Sequence, residues 1–430
     1  MTTTNTYLMV TVDGGGNMPP MLGMARQLKA RGHDIHVLTE PCLQAVVTDH
    51  DFHFHPFTDY FTRTDRSEDI FRDWNKKGMK DPTLDNVVFG PANTVVEQTL
   101  KAIDKTQPDV LIVDMLLIPA LMAGEKRGLP TAVGFHMPEY FPADNRPPGM
   151  MGLLPGKGPL GRLRDKLLGG LFHKVFDSYL KDLNAVRQEL DLPALSHTVD
   201  LVHQADLRLI MTSRVFDFPM EPAPANVRYT GPILQDPDWV AEWAPPWPAE
   251  DKRPLVVVAF SSTFQNQGAV LRHCITALSQ LPVRALVTTG PALAMAQLPE
   301  ADNVVVVDSA PHSQVFPHAE LVITHAGHGT VMRALSFDVP LLCMPMGRDQ
   351  HDNAAKVKYH GAGLTLKKSS GVSAIRQKVQ RLLEDDAFAD GASRLGTQIR
   401  KDGASTVLVK ELEGIAQRHI SARQQPMQQA

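Results

Sequence analysis

The sequence predicts an α/β protein built of two Rossmann-like domains, and three observations carry that prediction. Apolar runs of strand length alternate with helix-length segments from residue 7 onward, the rhythm of βαβ units around a parallel sheet. The rhythm breaks between Asp236 and Pro254, where five prolines, three tryptophans and the charged run Glu250-Asp251-Lys252-Arg253 read as a linker. It restarts at Leu255, and a chain of 430 residues has room for two or three domains. The expected division is a first domain over 1–235, a linker over 236–254, a second domain over 255–404, a closing helix over 405–420 and a polar, disordered tail over 421–430.

In the first domain, Tyr7 to Val12 reads as a buried strand, Asp13 to Pro20 as a loop, and Met21 to Ala30 as a helix with Met21, Met24, Ala25 and Leu28 on one face. The paired prolines Pro19 and Pro20 suit a helix N-terminus. Asp34 to Thr39 returns as a strand, and Glu40 follows where a dinucleotide-binding domain keeps its ribose-binding acid. The loop argues against that ligand, because Met18 and the prolines stand where GxGxxG needs its later glycine.

Further on, Ala92 to Ile103 reads as a helix, Pro108 to Asp114 as a strand ending in a carboxylate, and Thr131 to Phe135 as a strand running into His136 and Met137. Asp59 to Asp85, around Trp74, reads as loops and short helices. Pro138 to Leu168 is rich in Gly, Pro, Met and Leu and reads as a mobile wall of an apolar pocket. Gly156-Lys157-Gly158 within it is a near miss for a phosphate loop. His136 and Met137 are thereby candidates for contact with a small apolar ligand, and His136 reads either as an acid–base group or as a structural strand-end histidine. Phe172 to Leu190 reads as one long amphipathic helix, and Leu207 to Met211 as a strand.

The second domain opens with a strand at Leu255 to Phe260 and a hydroxyl-rich loop holding Ser262 and Thr263, which can cap the helix Ala269 to Gln280 or face a ligand. Strands follow at Ala285–Thr289, Val304–Val307, Leu321–Thr324 and Pro340–Pro345. After the third comes His325-Ala326-Gly327-His328-Gly329-Thr330, and after the fourth Gly347-Arg348-Asp349-Gln350-His351-Asp352-Asn353. A strand feeding a glycine loop that opens a helix suits an anion, since glycines admit the backbone and the first helical N–H groups carry partial positive charge. The glycines alone are equally a tight strand-to-helix turn, and a zinc site from His325, His328 and His351 is disfavoured by their spacing and the lack of a nearby cysteine. Helices are expected at Ser373–Glu384, Ala387–Arg400 and about Ser405–His419, the last with Val407, Leu408, Leu412 and Ile415 at helical spacing.

Composition narrows the function classes. Lysine and arginine total 43 against 47 acidic residues, a net charge of −4 without basic blocks, which argues against nucleic acid as a partner. Cys42, Cys274 and Cys343 lie far apart in apolar surroundings, as reduced thiols do. No signal-peptide pattern opens the chain and no apolar run reaches the roughly 18 residues of a membrane span, so a cytoplasmic protein is expected.

His325-Ala326-Gly327-x-Gly329-Thr330, followed about twenty residues later by Asp349-Gln350 and Asn353-Ala354, resembles the donor signature of nucleotide-sugar-dependent glycosyltransferases. This is the family shared by macrolide and other natural-product glycosyltransferases and by plant UDP-glucosyltransferases. The resemblance covers nearly the whole chain, most strongly over 300–366. It implies the glycosyltransferase-B arrangement, two Rossmann-like domains facing across a cleft, with a UDP- or dTDP-sugar on the second domain and a small hydrophobic acceptor on the first. It implies that His325, Gly327, Gly329 and Thr330 hold the diphosphate and that Asp349 and Gln350 hold sugar hydroxyls. Ser262 and Thr263 would face the diphosphate, and His312 would touch the nucleotide base. The closing helix would fold back over the first domain, and Asn184 and Arg187 match an Asn-x-x-Arg pattern of the family.

The family's general base is a histidine in the first loop, supported by an aspartate at a later strand end. Asn17 stands at the histidine's position and Asp114 at the aspartate's. Because Asn cannot take a proton, either Asp114 or Asp13 acts as base, or the acceptor is acidic enough to need only orientation by Asn17. The resemblance implies inverting transfer without a metal or other cofactor, by a monomer or homodimer. The alternative is a catalytically idle nucleotide-sugar binder serving as an auxiliary protein; an epimerase or lipid-linked-sugar transferase would share the architecture.

Overall fold

A computed structural model describes residues 4–66, 83–143, 145–236, 242–260, 267–290 and 298–424. Ser262, Thr263, Trp74 and the tail beyond Gln424 lie outside the described residues.

Two wholly parallel sheets organise the chain. The first contains β1 (Thr6–Val10), β2 (Asp34–Thr39), β3 (His53–Pro56), β4 (Val110–Asp114), β5 (Thr131–Phe135), β6 (Leu207–Ile210) and β7 (Val227–Tyr229) in the order β3-β2-β1-β4-β5-β6-β7. The second contains β8 (Leu255–Ala259), β9 (Arg284–Thr288), β10 (Val304–Val307), β11 (Leu321–Thr324), β12 (Leu341–Cys343) and β13 (Gly363–Thr365) in the order β10-β9-β8-β11-β12-β13. Every residue of β4, β5, β8 and β11 is buried, as continuous apolar strands covered by helices on both faces must be. In each sheet the strand order reverses beside the first strand, so a crevice forms at the carboxyl ends of β1 and β4 in one and of β8 and β11 in the other.

The expected helices form with small shifts. The first is Met18–Lys29, begun by Pro19 and Pro20 and burying Met18, Met21, Leu22, Met24, Ala25 and Leu28 against the sheet. The single helix expected from Phe172 is instead two, Gly158–Phe176 and Leu180–Glu189, broken by a tighter turn at Asp177–Tyr179. The last third of the expected mobile wall is therefore helix, begun by Pro159 at its first turn and presenting Leu160, Leu163, Leu167 and Leu171 to the exterior. Gly156 is no phosphate loop: it lies against Gly161, and its N–H donates to the Asp165 carboxylate. Arg187 is buried, paired with Glu125 at 2.6 and 2.8 Å and donating to the Pro193 carbonyl, so the Asn-x-x-Arg pattern serves packing here.

The last helix, Val407–Gln424, belongs to the core of the first sheet. Leu408, Val409, Leu412, Ile415 and Ala416 join one apolar cluster with Tyr7, Met9, Met24 and Leu28. Glu413 adds ion pairs to Arg31 at 2.7 Å and His33 at 2.9 Å. This helix includes Ser421 to Gln424, which composition assigned to a disordered tail. Conversely, Phe216 of the 212–218 segment is buried in the core of the second sheet. Lys356 and Asp217 stand 3.6 Å apart across the same junction, His328 bonds Thr212 at 2.9 Å, and the chain crosses between the sheets at Gly231 and again at Asp402–Gly403.

Candidate functional site

The loop after β1 carries Asn17 into full burial, where its amide is used at every turn. Its Nδ2 donates to Asp114 Oδ2 at 2.6 Å and to the Val12 carbonyl at 2.7 Å, and its Oδ1 accepts the Gly14 N–H at 2.9 Å. Asp114, at the end of the adjacent β4, also accepts from the Thr11 hydroxyl at 2.7 Å and the Leu116 N–H at 2.9 Å. The sequence-aligned pair thus meets, but as a closed hydrogen-bond cluster with both carboxylate oxygens occupied.

Asp13 lies in a second cluster. Its carboxylate accepts from Arg66 at 2.8 Å and from the Gly15 N–H at 2.9 Å. Glu40, wholly buried, is paired with Arg63 at 2.5 Å and accepts the Asp13 N–H at 2.9 Å. The Asp13 carboxylate is thus committed to a guanidinium and a backbone N–H. It also removes Glu40 from contact with any ribose.

His136 emerges as the histidine facing the junction. It follows β5, next to β4, and its Nδ1 is buried with no hydrogen-bond partner among the described residues. Burial lowers its pKa; Asp114 of its own sheet and Asp349 of the other sheet oppose that lowering, and Arg348 adds to it. His136 therefore stands within electrostatic reach of both halves of the site. Met137 is buried in the first core among Phe135, Tyr140 and Phe141, so it is a packing residue and not an exposed ligand contact.

On the second sheet, β11 ends in His325, whose ring accepts or donates only weakly to Thr324 at 3.4 Å and bonds the Ala259 carbonyl. Burial pushes its pKa down to about 4, so the ring is neutral at neutral pH and serves as an N–H donor. Gly327 precedes the helix His328–Ser336, and a Cβ there would stand 2.5 Å from His325 Nε2. The glycine is what lets the imidazole lie across the helix start. Gly329 and the half-buried Thr330 occupy the first turn, where unsatisfied N–H groups favour an anion. His328, by contrast, turns back to Thr212, so the three histidines weighed for zinc do not converge.

The loop after β12 is joined to this one by Asn353, which donates to the Ala326 carbonyl at 3.0 Å and to Asp349 at 2.7 Å. Burial raises the Asp349 pKa. Gln350 is almost wholly buried, and its Oε1 accepts the Met346 and Gly347 N–H groups at 2.8 and 3.1 Å. Its acceptor oxygen thus shapes the loop and is not open to a sugar hydroxyl. His312 stacks on Phe316 with centroids 4.3 Å apart, and burial pushes its pKa down to about 3. Arg333 and Asp236 flank it, and Asp236 Oδ2 accepts the Ser313 N–H at 2.9 Å. Asp352, a residue the sequence reading did not single out, accepts the backbone N–H groups of Met150 and Gly152, the latter at 2.6 Å. It ties the 138–155 segment of the first domain onto the start of the helix Gln350–Tyr359.

Two loops offering anion-binding and hydroxyl-binding groups, facing a second parallel sheet, find their counterpart among known proteins. Residues 277–415 match the family described as erythromycin biosynthesis protein CIII-like, C-terminal domain. The 4'-demethylrebeccamycin synthase of Lentzea aerocolonigenes is 28% identical over 424 residues, covering 95% of this chain and 99% of that protein. Along nearly its whole length the chain is similar to natural-product glycosyltransferases. Its fold is that of the glycosyltransferase-B enzymes. The kitacinnamycin glycotransferase structure aligns with a TM-score of 0.75 at 21% identity over 97% of this chain and 100% of that one. The calicheamicin glycosyltransferase CalG4 aligns with a TM-score of 0.70 at 21% identity over 96% and 99%. Among the described residues no helix is long and apolar enough to cross a membrane.

Proposed function

We propose that the enzyme moves a sugar from a UDP- or dTDP-sugar to a small, largely apolar acceptor with inversion at the anomeric carbon, and that His136 takes the acceptor's proton. The observation that carries the base assignment is the contrast between three occupied groups and one open one. Asn17 cannot accept a proton, Asp114 has three donors, and Asp13 is paired with Arg66, whereas His136 keeps an unpartnered buried nitrogen beside Asp114 and Asp349.

In this reading the donor diphosphate lies on the start of the helix His328–Ser336 beside His325, with the first helical N–H groups donating to it and Asp349 accepting from sugar hydroxyls. The acceptor's O–H or N–H proton passes to the neutral imidazole of His136. The freed electron pair forms the bond to the anomeric carbon as the carbon–oxygen bond to the diphosphate breaks, and the nucleoside diphosphate leaves with the electron pair of the broken bond. Asp114 and Asp349 favour the imidazolium that results. Asn17 then acts as the brace that orients Asp114. The residues invoked need no metal, with N–H donors offsetting the leaving-group charge. The full-length likeness to the Lentzea 4'-demethylrebeccamycin synthase supports a natural-product acceptor.

The test is mass-spectrometric detection of transfer from UDP-glucose and several dTDP-sugars to phenolic, indolic and polyketide acceptors. His136→Ala should lower turnover by roughly 10²–10⁴-fold, the usual worth of a general base, while leaving nucleotide binding intact. Wild-type turnover in His136→Ala overturns the base assignment. Nucleotide-sugar binding without product on any acceptor favours the auxiliary-protein reading instead.

A further inference from the structure

On the outer edge of the first sheet, four titratable side chains share one face. Asp34 and His36 lie two residues apart on β2, and His53 and His55 two apart on β3. In the parallel register His36 pairs with His53 and Leu38 with His55, so alternation puts all four on the same side. Their atoms converge. His36 Nε2 is 3.1 Å from Asp34 Oδ2, and His53 Nε2 is 3.1 Å from Asp34 Oδ1. One ligand atom each from Asp34, His36 and His53 lies within 4.8 Å of the others. The His36 ring is stacked between those of His53 and His55, with centroids 4.6 and 5.2 Å away.

We propose that Asp34, His36 and His53 form a binding site for a divalent transition metal of the zinc class. Bonds of about 2.0–2.2 Å to imidazole nitrogen and carboxylate oxygen set tetrahedral ligands roughly 3.3–3.5 Å apart, and each imidazole nitrogen here stands 3.1 Å from one oxygen of Asp34. The outer partner is also in place. His36 Nδ1 lies 2.9 Å from His55 Nε2, so with Nε2 on the metal its Nδ1–H donates to His55, fixing the tautomer as outer ligands do. The His53 side chain is 58% exposed, which leaves an entry path and a fourth position for water. Lys105 is the opposing charge facing His36 and His55, and it weakens the site without occupying it.

The site is remote from transfer chemistry. Asp34 begins β2 and Glu40 lies past its other end, roughly 20 Å away at about 3.3 Å per residue. The metal would pin the short edge strand β3 to β2, closing a sheet edge rather than touching a sugar.

The experiment is titration of the chelator-treated full-length protein with zinc by calorimetry and with cobalt by visible absorption, alongside melting curves. One equivalent should bind, cobalt should give tetrahedral absorption bands, and zinc should raise the melting temperature. His53→Ala, which removes an exposed side chain, and Asp34→Asn should each weaken binding at least tenfold and abolish the zinc-dependent rise, with unchanged far-ultraviolet spectra. Lys105→Gln should tighten it. No saturable binding, or binding unaffected by both ligand substitutions and thus owed to other histidines, overturns the proposal.

Discussion

Gly327→Ala isolates the link between the helix start and His325. Gly327 has φ −60° and ψ 136°, which alanine adopts without strain, so the backbone need not change. The added methyl would stand 2.5 Å from His325 Nε2 and 2.9 Å from Cε1, where ordinary contact begins at 3.4 Å. The ring must therefore retreat by about 0.9 Å, the shortfall to ordinary contact. It cannot do so freely, because it bonds the Ala259 carbonyl and lies over Phe260 with centroids 6.2 Å apart. Overpacking of this kind costs about 1–3 kcal/mol, and a 1 Å misplacement of a positioning group costs on the order of 10²-fold in rate. We expect nucleoside-diphosphate affinity to fall at least fivefold by calorimetry and kcat/KM to fall roughly a hundredfold, with a folded spectrum. Wild-type donor affinity and kcat/KM in Gly327→Ala would refute the reasoning that the imidazole's place depends on the missing Cβ.

Three further predictions follow from the same geometry. Asp114→Ala strands two buried donors, from Asn17 and Thr11, at about 1–3 kcal/mol each, and frees the part-buried Leu116 N–H; chemical denaturation should show a loss of at least about 2 kcal/mol, and a loss below about 1 kcal/mol would show the cluster to be slack. Acid should destabilise the fold through histidines that are buried neutral. His325 and His55 are held down to about 4 and His312 and His328 to about 3, so protons bind the unfolded chain first; stability is full above pH 6.5 and falls as pH drops from there toward 4. Melting temperatures flat between pH 7 and 4 would contradict this. Asp352→Ala releases the Met150 and Gly152 N–H groups; limited proteolysis should then cut near residue 150 several-fold faster than in the native chain, and equal rates would mean the segment is held by other contacts.

How much of this was legible in the sequence follows from burial and range. Central strands are covered on both faces and so read as unbroken apolar runs, and Thr131–Phe135 and Leu321–Thr324 fall where the sequence puts them, as does the all-valine edge strand Val304–Val307. The edge strands β3, β7 and β13 have three or four residues and no apolar run, since His53-Phe54-His55-Pro56 looks like a loop until β2 lies beside it. At the site, Asn17, Asp114, His325 and Asp349 are legible because each ends a strand or opens a helix. Pairings across long sequence separations are not. Nothing in the chain announces that Arg63 will neutralise Glu40, that Arg66 will hold Asp13, or that Gln350 will spend its oxygen on its own loop.

The two crossings between the sheets have a consequence for ancestry and exchange. Gly231, at φ +79°, lies against the Asp402 carbonyl so closely that a Cβ would overlap it, and Gly403 packs on Leu234. Outgoing and returning chain thus run side by side, while Leu408, Leu412 and Ile415 beyond them complete the core that Tyr7 and Met9 began. The half built on the second sheet is in effect an insertion within the other half, not an appendage to it. A graft from a relative with a different donor preference must therefore be cut at two seams, near 235 and near 404, that were shaped against one another. A single junction in the linker would strand the closing helix on a foreign partner and leave the first sheet with an uncovered face.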